Sequence, residues 1–142
     1  MQATNQQTAD RVRRHTDDDI NRLVDRESLD RLREIEHQGP LAIDRRIAEL
    51  DREWDVERVL QTNASILATT GAVLGLTVNK KFLILPAVVF GFLLQHAVQG
   101  WCPPLPVFRR LGIRTRREID RERYALKAIR GDFDRALMER QG

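Results

Sequence analysis

The side chains best suited to chemistry cluster late in an apolar stretch. Cys102 is the single cysteine, and it lies between Trp101 and a Pro-rich run that leads to Arg109 and Arg110. Nearby positive charge lowers a thiol pKa, which makes Cys102 a candidate reactive thiol, able to carry a persulfide or sense redox state. The plainer reading, a small residue in a turn, is preferred. Gln95, His96 and Gln99 share the end of one apolar run with Asn63 at the matching end of the other, and together they form a candidate polar membrane path. His96 is about a turn and a half from Cys102 at helical spacing, which argues against direct pairing. It reads more simply as one polar group at the wetter end of a helix.

Other chemistries find no support. His15, His37 and His96 are scattered and no His/Cys/acid group has ligand spacing, so no metal is expected. A lone intramembrane histidine would ligate haem only within an oligomer. There is no phosphate-cradling glycine loop and no nucleophile elbow. The expectation is a protein that is not an enzyme and has no cofactor.

These residues are positioned by Leu60–Trp101, two apolar runs joined by Asn79-Lys80-Lys81. The first spans about 19 residues and the second about 20, or roughly 28 and 30 Å as helices, close to the ~30 Å hydrocarbon thickness. Neither alternates like a strand, and helices satisfy their own backbone in lipid. The expected fold class is therefore an all-α membrane protein: a two-helix transmembrane hairpin flanked by amphipathic cytoplasmic helices. The competing reading is a soluble helical hairpin with a buried core. The chain's mean hydropathy of −0.45 conceals this division between an apolar block and charged arms. A net charge of +3 reflects a slight arginine excess, so no nucleic-acid partner is expected.

Packing residues are legible within the hairpin. Gly71 and Gly75 form a GxxxG pair, and Ala87 and Gly91 form a second small-residue pair. Folding about Lys80-Lys81 predicts Gly75 opposite Ala87, Gly71 opposite Gly91, Leu67 opposite Gln95, and an Asn63–Gln99 hydrogen bond. The alternative use of GxxxG is contact with a second copy. Trp54 and Trp101 are the expected interfacial anchors.

The flanks complete the organisation. Residues 1–15 are expected to form a mobile polar tail. They contain no apolar leader segment, so the first run is expected to act as an uncleaved anchor. Residues 16–59 form a charged arm of two helices broken at 39–40. The first is capped by Thr16, and the second runs from Pro40 to about Leu60 with the stripe Ile43, Ile47, Leu50 and Trp54. That stripe either packs against another protein helix, the preferred reading, or lies on the membrane. Residues 60–102 are the hairpin and 103–114 a Pro/Arg-rich interfacial linker. Residues 115–142 form an amphipathic helix opened by the capping box Thr115-Arg116-Arg117-Glu118, with Ile119, Leu126, Ile129, Phe133 and Leu137 along one side. It lies on the membrane or packs against the Trp54 helix. Arginines crowd both flanks while the loop has two lysines, which predicts both termini in the cytoplasm.

Glu57-Arg58, the Gly-rich first run, the short loop, Gly100-Trp101-Cys102-Pro103 and Leu111-Gly112-Ile113 carry a resemblance. Asp55–Thr115 resembles a family of small inner-membrane hairpins of unknown function, the domain that also forms the C-terminal membrane anchor of bacterial membrane-bound rhodaneses. The resemblance implies a bacterial inner-membrane, multi-pass location, a tendency to dimerise, and a link to sulfur chemistry in the fused members. This chain has no rhodanese domain or catalytic cysteine loop, so only Cys102 carries over. The expected function is a non-enzymatic, homo-oligomeric scaffold or accessory subunit in the lipid bilayer. Its helical arms would bind a protein partner at the cytoplasmic face. The alternative is sulfur-related transport or a persulfide relay through Cys102 in an oligomer.

Overall fold

The computed structural model describes residues 11–139, and among these the ordered elements are all helical. In chain order they are α1 (Arg11–Arg14), α2 (Asp18–Gln38), α3 (Pro40–Arg52), α4 (Val56–Thr77), a 3₁₀ turn (Lys80–Leu83), α5 (Ile84–Gln99), α6 (Leu105–Arg110), α7 (Arg116–Arg130) and α8 (Asp132–Glu139). They form two regions. Helices α4 and α5 make an antiparallel hairpin, and the remaining helices gather as a platform at its open end.

Local signals explain most of the boundaries. Asp17, rather than Thr16, caps α2 and accepts from the Asp19 amide. The Thr16 hydroxyl instead donates back to the Val12 carbonyl at 2.7 Å. Gly39, at φ +91°, separates α2 from α3, and Pro40 opens α3. The charged arm does not run on into the hairpin. Helix α3 stops at Arg52, the chain extends through Glu53-Trp54-Asp55, and the Asp55 carboxylate caps α4 by accepting from the Arg58 amide at 2.8 Å. The Thr115 box is complete: its hydroxyl accepts from the Glu118 amide, and the Glu118 carboxylate accepts from the Thr115 amide.

The platform core forms where α3 meets α7. Ile43, Ile47 and Leu50 bury against Ile119 and Leu126, with Leu32 and Ile35 of α2 closing the cluster. Of the two partners open to each amphipathic helix, the structure therefore selects the other helix of the same chain. Trp54 ends the stripe outside this core, half exposed, with the Arg58 guanidinium 4.4 Å above its ring.

Two expectations about the flanks are corrected. Residues 11–14 are helical, and Val12 is buried against Val56 and Leu105; residues 1–10 lie outside the described residues. Residues 103–114 are built into the platform: Leu105 is fully buried, and Phe108 and Ile113 pack on the same cluster. The Pro-rich sequence ends α5, but it also starts α6, where proline is tolerated in the first turn.

Two helical stretches are long and apolar enough to cross a membrane, one within Pro40–Thr77 and the other Lys80–Gln99. The break at 53–55 confines the first to α4.

Candidate functional site

The hairpin is closed by small residues, though not in the predicted register. Buried positions on α4 are Val56, Leu60, Ala64, Ala68, Gly71 and Gly75, a single helical stripe. A Cβ on Gly71 would sit 2.7 Å from Pro86 Cδ and 2.9 Å from Leu85 Cβ, and one on Gly75 would sit 2.5 Å from Leu83 Cδ2. Both glycines pack within the chain, against Leu83, Leu85 and Pro86. Gly91 has nothing within 4 Å of its Cβ position, and Ala87 is exposed. The physical reason is the turn. The 3₁₀ segment places residues 80–83 on the returning side, so the fold axis precedes Lys80-Lys81 and every pairing slides.

That slide dissolves part of the candidate path. Asn63 donates to the Val59 carbonyl of its own helix at 2.9 Å, and Gln95 approaches Gln99 at 3.5 Å along α5. No Asn63–Gln99 bond forms. Leu67, expected opposite Gln95, is half exposed. His96 turns toward α4. It lines a cavity of about 500 Å³ with Arg11, Glu57, Gln61 and Gly100, and its Nδ1 is buried without a hydrogen-bond partner among the described residues.

Cys102 lies in the segment between α5 and α6. It is buried at 4% exposure, and burial pushes its thiol up rather than down. Arg109 does not activate it, because that guanidinium is committed to Glu118 and Asn21. Cys102 borders a second cavity of about 420 Å³, apolar and lined by Leu60, Ala64, Val89, Leu93, Pro104 and Phe108 among others. Trp101 is half-buried at the end of α5.

The strongest polar constellation lies in the platform, and the sequence reading did not isolate it. Helix α7 places Glu118 and Glu122 on the same face as Ile119 and Leu126, and both carboxylates are buried, Glu122 to 2% exposure. Glu118 accepts from both terminal nitrogens of Arg109 (2.7 and 2.8 Å), from Arg13 (2.8 Å) and from the Thr115 amide (2.8 Å). Glu122 accepts from Arg46 Nε at 2.9 Å and from Arg114 Nη1, with Arg31 Nη2 at 3.6 Å. Arg114 continues to Glu53, and Arg13 to Asp25. Asn21 joins α2 to this network by accepting from Arg109 at 3.1 Å and donating to the Arg13 carbonyl at 2.9 Å.

Desolvation pushes both carboxyls up, but the hydrogen-bonded guanidiniums outweigh it and hold Glu118 and Glu122 below the usual carboxylate range. A carboxylate saturated with donors and ionised across neutral pH is a poor general acid or base. The arrangement ties five segments to α7; it does not poise a proton. A signal for it existed. Positions 119, 122 and 126 follow helical spacing, so Glu122 had to enter the buried stripe and find cations there. By contrast Ile129 and Phe133, assigned to that stripe, are exposed, and the Leu137 side chain lies outside the described residues.

Among the described residues no group of three or more His, Cys, Asp or Glu could hold a metal ion. Comparison with protein-family models, curated proteins and solved structures gives no match for this chain.

Proposed function

We propose that this chain is a membrane-anchored helical platform, a scaffold or accessory subunit of the bacterial inner membrane. One observation carries the reading: no residue of Lys80–Gln99 is buried, although Phe82–Leu94 within it is apolar throughout. Ile84, Val88, Phe90, Leu94 and Val98 are all exposed. A soluble protein would bury such a helix in its core; here the outward face of the hairpin needs lipid or a second copy to cover it.

Topology supports the same reading. Helix α4 begins and α5 ends at the platform, where the Val56 amide donates to the Arg114 carbonyl at 2.9 Å and Arg11 reaches the Val98 carbonyl at 3.1 Å. The arginine-rich body therefore lies on one side and the Lys80-Lys81 turn on the other, which favours a cytoplasmic platform with both termini inside. The Ala87–Gly91 strip, unused within the chain, suits a second hairpin, and the outer platform helices suit a protein partner. Burial of Cys102 weighs against the sulfur relay. Alkaline carbonate extraction and flotation test the anchor: the protein is expected in the membrane fraction, and release into the supernatant would refute it.

A further inference from the structure

The cavity beside His96 combines features that nothing in the anchor role requires. It opens where the hairpin meets the platform, between the first turn of α4 and the last turn of α5, and its volume of about 500 Å³ falls in the range of small-molecule sites, ~300–1,000 Å³. Leu93, Ala97 and Val12 supply apolar walls. Four polar side chains border it with bonding capacity to spare. Glu57 interacts electrostatically with His96 but makes no hydrogen bond or ion pair among the described residues, and neither does Gln61. His96 Nδ1 is buried and unpartnered. Arg11 uses only Nη1, shared between the Ala97 and Val98 carbonyls at 3.3 and 3.1 Å, which leaves its other N–H groups available.

The geometry holds Arg11 in place. A Cβ on Gly100 would lie 2.4 Å from Arg11 Cβ, and Gly100 sits at φ +75°. Only glycine lets α1 approach this closely while ending α5. The guanidinium thus caps the negative end of α5 and fronts the cavity at once.

We infer that this cavity binds a zwitterionic headgroup bearing a phosphate and a primary ammonium, as presented by an ethanolamine phospholipid. The inference rests on the hairpin spanning the bilayer, because that places the cavity at headgroup depth. Arg11 and His96 match the phosphate, and Glu57 and Gln61 match the ammonium, which donates three hydrogen bonds. A glycerol headgroup carries the same phosphate but presents neutral hydroxyls, not a cation, to Glu57. A choline headgroup brings a cation without N–H donors. The acyl chains leave over the exposed face of α5 beside Leu94 and Val98.

The test is native mass spectrometry of the full-length protein in detergent, titrated with ethanolamine, glycerol and choline phospholipids of matched chains. Flotation with vesicles of the same lipids serves as the control for insertion. The ethanolamine lipid is expected to bind at least about tenfold more tightly than the others, the scale of one charge-assisted hydrogen bond. Glu57→Gln should abolish that preference while leaving binding of the glycerol lipid unchanged or raised. Gln61→Leu, an exposed helical substitution, should reduce the preference in a protein of unaltered helicity. Soluble glycerophosphoethanolamine should compete weakly; full displacement by it would assign the site to a free headgroup instead of a lipid. Equal binding of the three lipids, or a preference indifferent to Glu57→Gln, by a protein that floats overturns the headgroup site alone. A protein that does not float overturns the membrane anchor and this inference with it.

Discussion

The hairpin and the platform are both bundles of helices, yet they solve the packing problem by opposite means. In the platform, apolar side chains face inward, and two buried glutamates are wrapped by arginines from five segments. In the hairpin, Gly71, Gly75 and two alanines let α4 approach Leu83, Leu85 and Pro86, and most of the other bulky apolar residues of α5 face out. The first arrangement suits water, and the second suits the lipid environment proposed for it. A charge network that reads as costly in a core is tolerable when every acid is saturated, and a glycine contact worth little in water suits a medium with no hydrophobic drive between helices.

The largest expected effect is in the platform. Glu118→Ala leaves Arg109, at 1% exposure, as a buried charge without its carboxylate, and should cost about 3–5 kcal/mol of platform stability. Chemical denaturation followed by circular dichroism will measure it, and a loss under 1 kcal/mol would show the network to be surface-like. The hairpin should survive the same change.

Acid should separate the regions similarly. Folded-state values for Glu118 and Glu122 lie below the ordinary 4.5. Their contribution is therefore complete above that value and is lost as pH falls through the lowered folded values. Platform helices should melt on titration below about pH 4 while the hairpin, whose central contacts at Gly71 and Gly75 are made with Leu83, Leu85 and Pro86, keeps its helicity. Simultaneous loss of both would break the comparison.

Within the hairpin the two small-residue pairs should behave differently. Gly71→Leu forces a side chain into Pro86 and Leu85 and should cost ~1–3 kcal/mol as overpacking. Gly91→Leu enters open space and should stay within about 0.5 kcal/mol. Thermal unfolding in detergent compares them; equal effects would place Gly91 in a contact. The mass of the solubilised protein adds a sharper point: Gly71→Leu should leave any oligomer intact, whereas Gly91→Leu should weaken one built on Ala87–Gly91.

A modest effect is expected at the platform cap. Thr115→Ala removes the acceptor for the Glu118 amide and should cost ~0.5–2 kcal/mol. An unchanged melting curve would mean that Arg109, Arg13 and the residue-115 amide hold Glu118 without the hydroxyl.

Much of this was readable from the sequence, for identifiable reasons. The two apolar runs, the Gly39-Pro40 break and the Thr115 box depend on residues within a turn or two of each other, and those local signals survived folding. The register of the hairpin depended on how the chain turns after Asn79, and a short 3₁₀ segment moved each pairing. The ion network was hidden because its arginines come from α1, α2, α3, α6 and the loop before α7, and no local spacing links them. Arg13 and Val12 looked like part of a polar tail for the same reason: their partners are Glu118 and Leu105, far along the chain. His96 stands out in the sequence as a polar residue near the end of an apolar run, but its neighbours Arg11, Glu57 and Gln61 come together only where α4, α5 and α1 meet.

The most direct test of the central claim is topology by thiol labelling in intact and permeabilised cells. With Cys102→Ala as background, Lys81→Cys marks the turn and Leu41→Cys, 85% exposed in the native protein, marks the platform. A membrane-impermeant maleimide should label Lys81→Cys in cells whose outer barrier alone is opened, and Leu41→Cys only after the inner membrane is breached. Labelling of both positions under the same condition would contradict a spanning hairpin with a cytoplasmic platform.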